Sequence, residues 1–490
     1  MPGRSRGAKK SVEPGNERKE KPSGASTDGE SEIAARLQTV IRKGRKTSMG
    51  NQEKDNRSRE GVKMQEGRKW YSLIDKIWAK PNMEEAFREV KRNRGAAGID
   101  RVTIKAYESE LEHHLEVLQH ALRSKTYRPK PVRRVYIPKA DGTQRPLGIP
   151  TVEDRVVQAA AKRILEPIFE AKFMERSYGF RPERDAHMAL RNIRKDLEDG
   201  YRYVIDADLK SYFDTIPHDK LLDMVKESVV DGSVLALLEK FLQAGVMDGG
   251  SFHINEQGTP QGGVISPLLA NIYLHPLDKT MSERGHRITR YADDFVICCK
   301  TQKGAERVLK SVIRLLENKM GLKVHPEKTK IVNSKRESFV FLGHEFKPGK
   351  KMIPSDKAMS KFKERVKTIT RRNQTVNVEK LVKKELNPYL RGWGNYFRTG
   401  DVKKRFRELD GWIRRRLRSV QLRSWKKVRK LHREMRRRGW DNSDMPGLRM
   451  RAWRSSHSTY AQFAMPNKWF EEMGLCSLLE LYNEHHPQRG

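Results

Sequence analysis

The stretch "RYADDFVICC", Arg290 to Cys299, constrains the fold of this chain more than any other ten residues. Two β-rich runs, "HRITRY" and "FVICC", flank "ADD", which predicts a strand, a tight turn and a strand. The turn carries two adjacent acids, Asp293 and Asp294. Asp is common in tight turns because its carboxylate bonds nearby backbone, and that reading suffices for the pair taken alone. Two like charges at the tip of a rigid ribbon still repel, and Mg²⁺ is the hard cation that carboxylates and phosphates share. A metal site needs a further acid from elsewhere. A strand expected over Tyr203 to Leu209, in "YRYVIDADLKSYFDTIPHDK", offers Asp206 and Asp208, two apart and so on one face. Either can face the hairpin, and a surface charge on an edge strand is the competing reading for Asp206.

Charge narrows the partner. Lys and Arg total 101 against 63 Asp and Glu, a net charge of +38 over 490 residues, so a polyanion is expected, nucleic acid first. Three cysteines, Cys298, Cys299 and Cys476, offer neither a disulfide framework nor a zinc-binding pair. The start, "MPGRSRGAKK", has no apolar run behind it and does not read as a signal peptide. The uncharged stretch Gln257 to Leu277 is broken by Pro260, Pro267 and Pro276 and is no membrane span. The expectation is a cytoplasmic protein with no membrane partner.

Four regions follow from pattern. Residues 1–69 lack any aromatic and predict a disordered basic extension, with Ile33, Leu37 and Ile41 on one face of a short helix. Residues 70–350 mix strand and helix signals. From about Ser355 strand signals fade, and residues 351–440 are helical and rich in Arg and Lys. Residues 441–490 form a small C-terminal region. The fold class expected is α+β.

The motifs, taken together, resemble the palm of a reverse transcriptase. "YADD" is similar to the family's Tyr-x-Asp-Asp box. "DLKSYFD" is similar to its preceding carboxylate motif, in which an aromatic follows the metal-binding Asp by five residues, which selects Asp208 with Phe213. "GTPQGGVISPLLANIYL" and "RRVYIPKADGTQRPLGIPTVEDRVVQ" resemble its nucleotide-positioning and fingers motifs, while "SYGFRPERDAHMAL", "GLKVHPEKTKIV" and "FVFLGHEF" match the remaining blocks in order. The resemblance implies a right-hand polymerase, fingers and palm with an antiparallel sheet, followed by an all-α thumb. It implies Asp208, Asp293 and Asp294 as catalytic ligands of two Mg²⁺ ions, with Mn²⁺ a substitute. It implies Lys139, Arg145, Phe213 and Gln261 at the incoming dNTP, and Gly262, Ser266, Pro267, Asn271 and Lys328 positioning template or primer. Phe213 packed where a 2′-hydroxyl would lie excludes ribonucleotides, whereas an RNA-dependent RNA polymerase needs polar groups there; core packing is the other reading of that ring.

Two further stretches narrow the resemblance to group II intron reverse transcriptases with maturase activity. "RGAAGIDRVTIKAYESEL" is similar to their N-terminal block, and Leu386 to Val428 to their maturase, or thumb, domain. Independently, Asp401 to Trp440 holds 17 Lys/Arg against 4 Asp/Glu. Phe406, Leu409, Ile413, Leu417 and Val420 recur at helical spacing, which leaves Arg405, Arg407, Arg414, Arg415 and Arg418 on other faces to bind RNA phosphate. Trp393, Tyr396 and Phe397 read as packing. The tail lacks the His and Cys clusters of an H-N-H endonuclease and resembles a short DNA-binding region. The implied partners are group II intron RNA, a DNA target, a primer and dNTPs, in the bacterial cytosol at the nucleoid. The alternatives are a domesticated relative in defence or DNA repair and a splicing-only maturase.

Overall fold

A computed structural model describes residues 69–486, except 139–143, 255–256, 350, 375 and 442–446. The extension expected over 1–69, apart from Lys69, and Lys139 therefore lie outside the described residues.

The amino-terminal part builds a platform. Helix α1, Lys80–Arg92, opens with a proline in its first turn and buries Met83, Ala86, Phe87 and Val90, the i, i+3, i+4, i+7 stripe of a helix with one apolar face. The fingers hairpin is β1, Val132–Pro138, paired antiparallel with β2, Gln144–Ile149. Helix α2, Val152–Glu170, is capped by Thr151, whose side chain accepts from the Asp154 amide, and its small residues Ala159, Ala160 and Ala161 let it run through the core.

The palm sheet is assembled from distant segments. Helix α3, Ala186–Glu198, precedes β3, Tyr203–Ala207. Strands β4, Val246–Asp248, and β5, Ser251–His253, extend the fingers sheet to the order β2-β1-β4-β5. Helix α4, Ser266–Glu283, then leads into the hairpin of β6, Arg287–Tyr291, and β7, Asp294–Cys299, followed by helix α5, Gln302–Arg314, and β8, Lys330–Asn333. The order β6-β7-β3-β8 places β3 between β7 and β8, antiparallel to both. Alternation along the strands divides the core. Ile205, Ala207, Phe295 and Ile297 join the main cluster with residues of α2, α4 and α5, whereas Val204, Val296 and Cys298 pack with Ala189, Leu190 and Ile193 of α3. The sheet is therefore covered on both faces and held rigid, and only its strand ends are free to present polar groups.

A third sheet, β11-β10-β9, comprises β9, Phe339–Phe341, β10, His344–Lys347, and β11, Lys351–Pro354. Beyond Pro354 the described residues are helical or irregular, as the fading strand signal predicts. Helices α6, Asp356–Ile369, α7, Lys403–Trp425, and α8, Val428–Arg437, share one core with α9, Thr459–Ala464, α10, Asn467–Glu472, and α11, Leu478–His485. The boundary placed at residue 441 thus divides no core. Met450, Ala461, Met465, Phe470 and Leu478 are buried in the same cluster as Phe406, Leu409, Ile413, Leu417 and Val420. Among the described residues no helix is long and apolar enough to cross a membrane.

Candidate active site

The β6–β7 pairing sets Tyr291 opposite Asp294, leaving Ala292 and Asp293 as a two-residue turn, with Ala292 left-handed at φ 59°. Its conformation is imposed from behind by Arg290, whose side chain is fully buried. The guanidinium donates from Nε to Asp278 Oδ1 at 2.9 Å, and from its terminal nitrogens to Asp278 Oδ2 at 2.6 Å, Asn271 Oδ1 at 2.9 Å, Ser177 Oγ at 2.7 Å and the Ala292 carbonyl at 2.8 Å. The last bond holds the turn itself. Asn271 Nδ2 in turn donates to the Gly179 carbonyl at 2.8 Å. Gly179 lies flat on the turn: a Cβ there would stand 2.2 Å from the Ala292 nitrogen, so no side chain fits. The "SYGF" block, the α4 block and the "YADD" box are one hydrogen-bonded unit.

Strand register brings the third acid to that tip. Ala207 pairs with Phe295, so Asp208, one residue past β3, continues the ladder beside Asp294. The strand stops two residues short of the expected Leu209. Lack of surrounding water raises the pKa of Asp294 to about 6, helped by Asp293, Asp208 and Asp206, although part of the carboxylate still meets solvent. Asp293 is raised as well, by desolvation and by Asp208, against the pull of Arg145 and Arg290. Burial, with Asp208 adding to it, lifts Asp206 to about 6, while Lys330 opposes. Clustered oxygen ligands whose negative charges oppose one another are the donor chemistry a hard divalent cation relieves, and in type these residues fit one. The carboxylates are not drawn together: among the described residues no three His, Cys, Asp or Glu groups are gathered as a ready metal cluster. Asp208 is instead ion-paired, its Oδ2 2.7 Å from Lys328 Nζ, and its carbonyl accepts from the His325 amide at 2.8 Å. Lys328, expected at template or primer, is thus paired with one of the acids expected to be catalytic.

The fingers hold the Gln261 segment through polar contacts, and the Arg145 charge acts on Asp293. Arg145 Nε donates to Gln261 Oε1 at 2.9 Å, Gln261 Nε2 donates to Asp214 Oδ2 at 3.1 Å, and the Gln261 carbonyl accepts from the Gly148 amide at 2.6 Å. Gly262, at φ 116°, passes so close to the Gly148 carbonyl that a Cβ would lie 2.3 Å from it. Phe213 is buried, its ring edge-on to Tyr212 at 5.4 Å and to the exposed Phe180 at 6.4 Å, and its carbonyl accepts from the Thr259 amide at 2.7 Å. Two expectations need correction. Asn271 and Ser266, read as positioning template or primer, are buried at 1% and 3% exposure. Asn271 holds the catalytic turn, and Ser266 Oγ donates to the Pro260 carbonyl at 2.9 Å, because α4 enters the core where its motif begins. Pro267 lies in the first turn of α4, half-buried.

Comparison with known proteins identifies the family. The model of the family described as reverse transcriptase (RNA-dependent DNA polymerase) matches residues 137–346, and that of the group II intron maturase-specific domain matches 359–439. Protein YkfC of Escherichia coli (strain K12) is 38% identical over 302 residues, covering 54% of this chain and 79% of that protein. The group II intron-encoded protein LtrA of Lactococcus lactis subsp. cremoris is 32% identical over 329 residues, 54% of each chain. The chain belongs to the group II intron reverse transcriptase/maturase family. It spans about half the length of LtrA. A partial Cas6-RT-Cas1–Cas2 complex is 25% identical, covering 51% of this chain and 43% of that one, at a TM-score of 0.34.

In this group II family member the basic residues singled out on α7 divide. Arg407 is exposed, Arg414 is half-buried, Arg405 donates to the Pro354 carbonyl at 3.3 Å, and Arg415 stacks on Trp453 at 4.4 Å. Arg418, expected on a phosphate-facing side, is buried, its Nε donating to the Met465 carbonyl at 2.9 Å beside the Phe470 ring. Periodicity along α7 shows one apolar stripe and carries no sign that the α9–α10 segment covers a second side. Sequence reasoning also passed over Arg290 and Asp278. The signal was present: a charge inside a strand, and an acid that is the first charge after a long uncharged stretch, within a helix.

Proposed function

We propose that this protein is the RNA-directed DNA polymerase and maturase of a group II intron, binding the intron RNA to assist its splicing and copying it into DNA. The observation that carries the reading is the strand register that puts Asp208 and the Asp293–Asp294 turn at the same end of the palm sheet, with the Arg145 charge acting on Asp293. Two Mg²⁺ ions held by Asp208 and Asp293, with Asp294 beside them, would supply Lewis-acid activation of the primer 3′-hydroxyl and charge neutralisation on the leaving pyrophosphate. Arg145 counters charge on the triphosphate, a role expected of Lys139 too. Lys328, paired with Asp208 in the metal-free protein, would give up that carboxylate to a metal ion. Phe213 closes the sugar side of the nucleotide site. The exposed cations of α7 and α8 grip RNA through its phosphates, while the RNA performs the splicing chemistry. These partners place the protein in the bacterial cytosol at the nucleoid.

Primer extension on an RNA template with Mg²⁺ tests the polymerase. Wild type should extend with dNTPs and poorly with NTPs, and Asp293→Ala should lose at least about a thousandfold in rate while keeping RNA affinity. Extension undiminished in Asp293→Ala would remove the palm reading. RNA binding with no extension under any divalent metal would leave a splicing-only maturase.

A further inference from the structure

We infer that Arg372 and Arg415, stacked on the indole of Trp453, form a binding site for a nucleic-acid phosphodiester; the inference rests on the proposal that nucleic acid is this protein's partner. The guanidinium carbons stand 4.9 Å and 4.4 Å from the centre of the same ring. Three separate segments meet here: the turn after α6 supplies Arg372, α7 supplies Arg415, and Trp453 precedes a single helical turn, Arg454–His457. Neither guanidinium donates a hydrogen bond or lies in an ion pair among the described residues, and Arg415 Nε is sealed from water without an acceptor.

Two other stacked arginines meet carboxylates, whereas Arg123, 5.9 Å from the Trp78 ring, is exposed and stands alone on its indole. Arg287, 4.2 Å from the Tyr201 ring, pairs with Asp196 and Asp199, and Arg181, over Phe173, pairs with Glu170. Neighbouring Arg416 spends its donors on Thr370 Oγ1 at 2.6 Å and on the Thr370 and Lys367 carbonyls, and burial together with Arg372 pushes its pKa down to about 10. Cation–π packing alone explains one guanidinium on an indole. It does not explain two on one indole that bring no carboxylate, with Arg416 6.0 Å from the same ring and its charge opposed by Arg372.

Stacking uses the faces of a guanidinium and leaves its donors in the plane, so the ring holds both forks ready for acceptors that the protein does not provide. A phosphate oxygen pair matches that fork, and its negative charge relieves the repulsion. Arg372 is exposed and Arg415 half-exposed, so a backbone can reach them. RNA and DNA offer the same diester, and the test separates them.

Binding of the full chain to a labelled RNA hairpin, and to a DNA duplex of the same sequence, is measured by anisotropy across a salt series. The proteins are wild type, Arg372→Gln, Arg415→Gln and Arg415→Lys, with melting temperature and Mg²⁺-dependent primer extension recorded in parallel. Each Gln variant should weaken binding roughly tenfold and flatten the plot of log affinity against log salt by about 0.7–0.9. Arg415→Lys should keep the slope and lose part of the affinity. A loss on either nucleic acid supports the site and names its source. Unchanged affinity, or a loss with unchanged slope, overturns it, the second outcome meaning packing. Arg372→Gln lies at an exposed turn, so its result stands even if Arg415→Gln melts early. Wild type that binds neither nucleic acid would sink the underlying reading instead, whereas wild type that binds and extends alongside identical variants would sink the phosphate site alone.

Discussion

Arg290 is the residue on which the catalytic turn depends. Removing one member of a buried, hydrogen-bonded ion pair costs about 3–5 kcal/mol, because the other charge is left unpaired. Arg290→Met should therefore lower the melting temperature and, by freeing the Ala292 carbonyl, disorder the acids. Arg290→Lys keeps a charge but cannot span Asp278, Asn271, Ser177 and Ala292 at once. It should fold, need more Mg²⁺ for half-maximal extension and lose at least about tenfold in kcat, a split that titration of metal against rate would reveal. Asp294 gives a pH signature. Its folded pKa, about 6, lies above the ordinary value of 3.8, so the folded state favours the protonated acid. Stability from this group is complete below 3.8 and is lost as pH rises through 6. Because Asp294 is exposed, solvent screens much of this effect, and without divalent metal Asp294→Asn should melt at most about a degree above wild type at pH 8, a gain that should vanish near pH 4. An equal gain at both pH values would mean that the carboxylate is not strained.

Among elements, the palm hairpin was the most legible in the sequence and the thumb the least. Alternation and the adjacent acids marked both strands of the β6–β7 hairpin, and the spacing of Phe213 behind Asp208 picks out the acid that lies one residue past the end of β3. The purpose of Gly179 was not legible, because nothing local to "SYGF" says that the turn of a hairpin over a hundred residues later will press on it. Gly179→Ala tests that contact. It should displace the turn and cut extension at least about a hundredfold with RNA affinity intact, whereas an active variant would show that the backbone yields easily. The basic helix α7 was read with one apolar stripe. Its second covered side, with Arg416 and Arg418 spent on carbonyls, depends on segments that periodicity does not see. Arg416→Met should accordingly cost about 2–4 kcal/mol through the orphaned Thr370 acceptors, measured by denaturant unfolding, although a surface arginine would cost nearly nothing.

At the scale of the molecule, charge predicted the partner class and pattern predicted a sheet-bearing half followed by a helical one, but composition gave no sign that residues on both sides of 441 share one core. The final fifty residues look polar and separable in sequence, yet they complete the thumb core, and the Asp410 carboxylate on α7 accepts from Ser477 Oγ and from the amides of Leu478 and Leu479. Deleting 441–490 should therefore abolish the thumb's cooperative melting and its RNA binding, not merely DNA contacts, and a truncated protein that melts like wild type would restore the separate domain. The same closure orders events during synthesis. The palm sheet has every strand once Asn333 has emerged from the ribosome, so the catalytic half can fold as it is made. Helix α7 must wait, basic on one side and greasy on the other, for a segment translated dozens of residues later. That interval is when a nascent chain of this kind is most exposed to premature partners, and a ribosome stalled while translating 441–490 would display a basic helix that has no core.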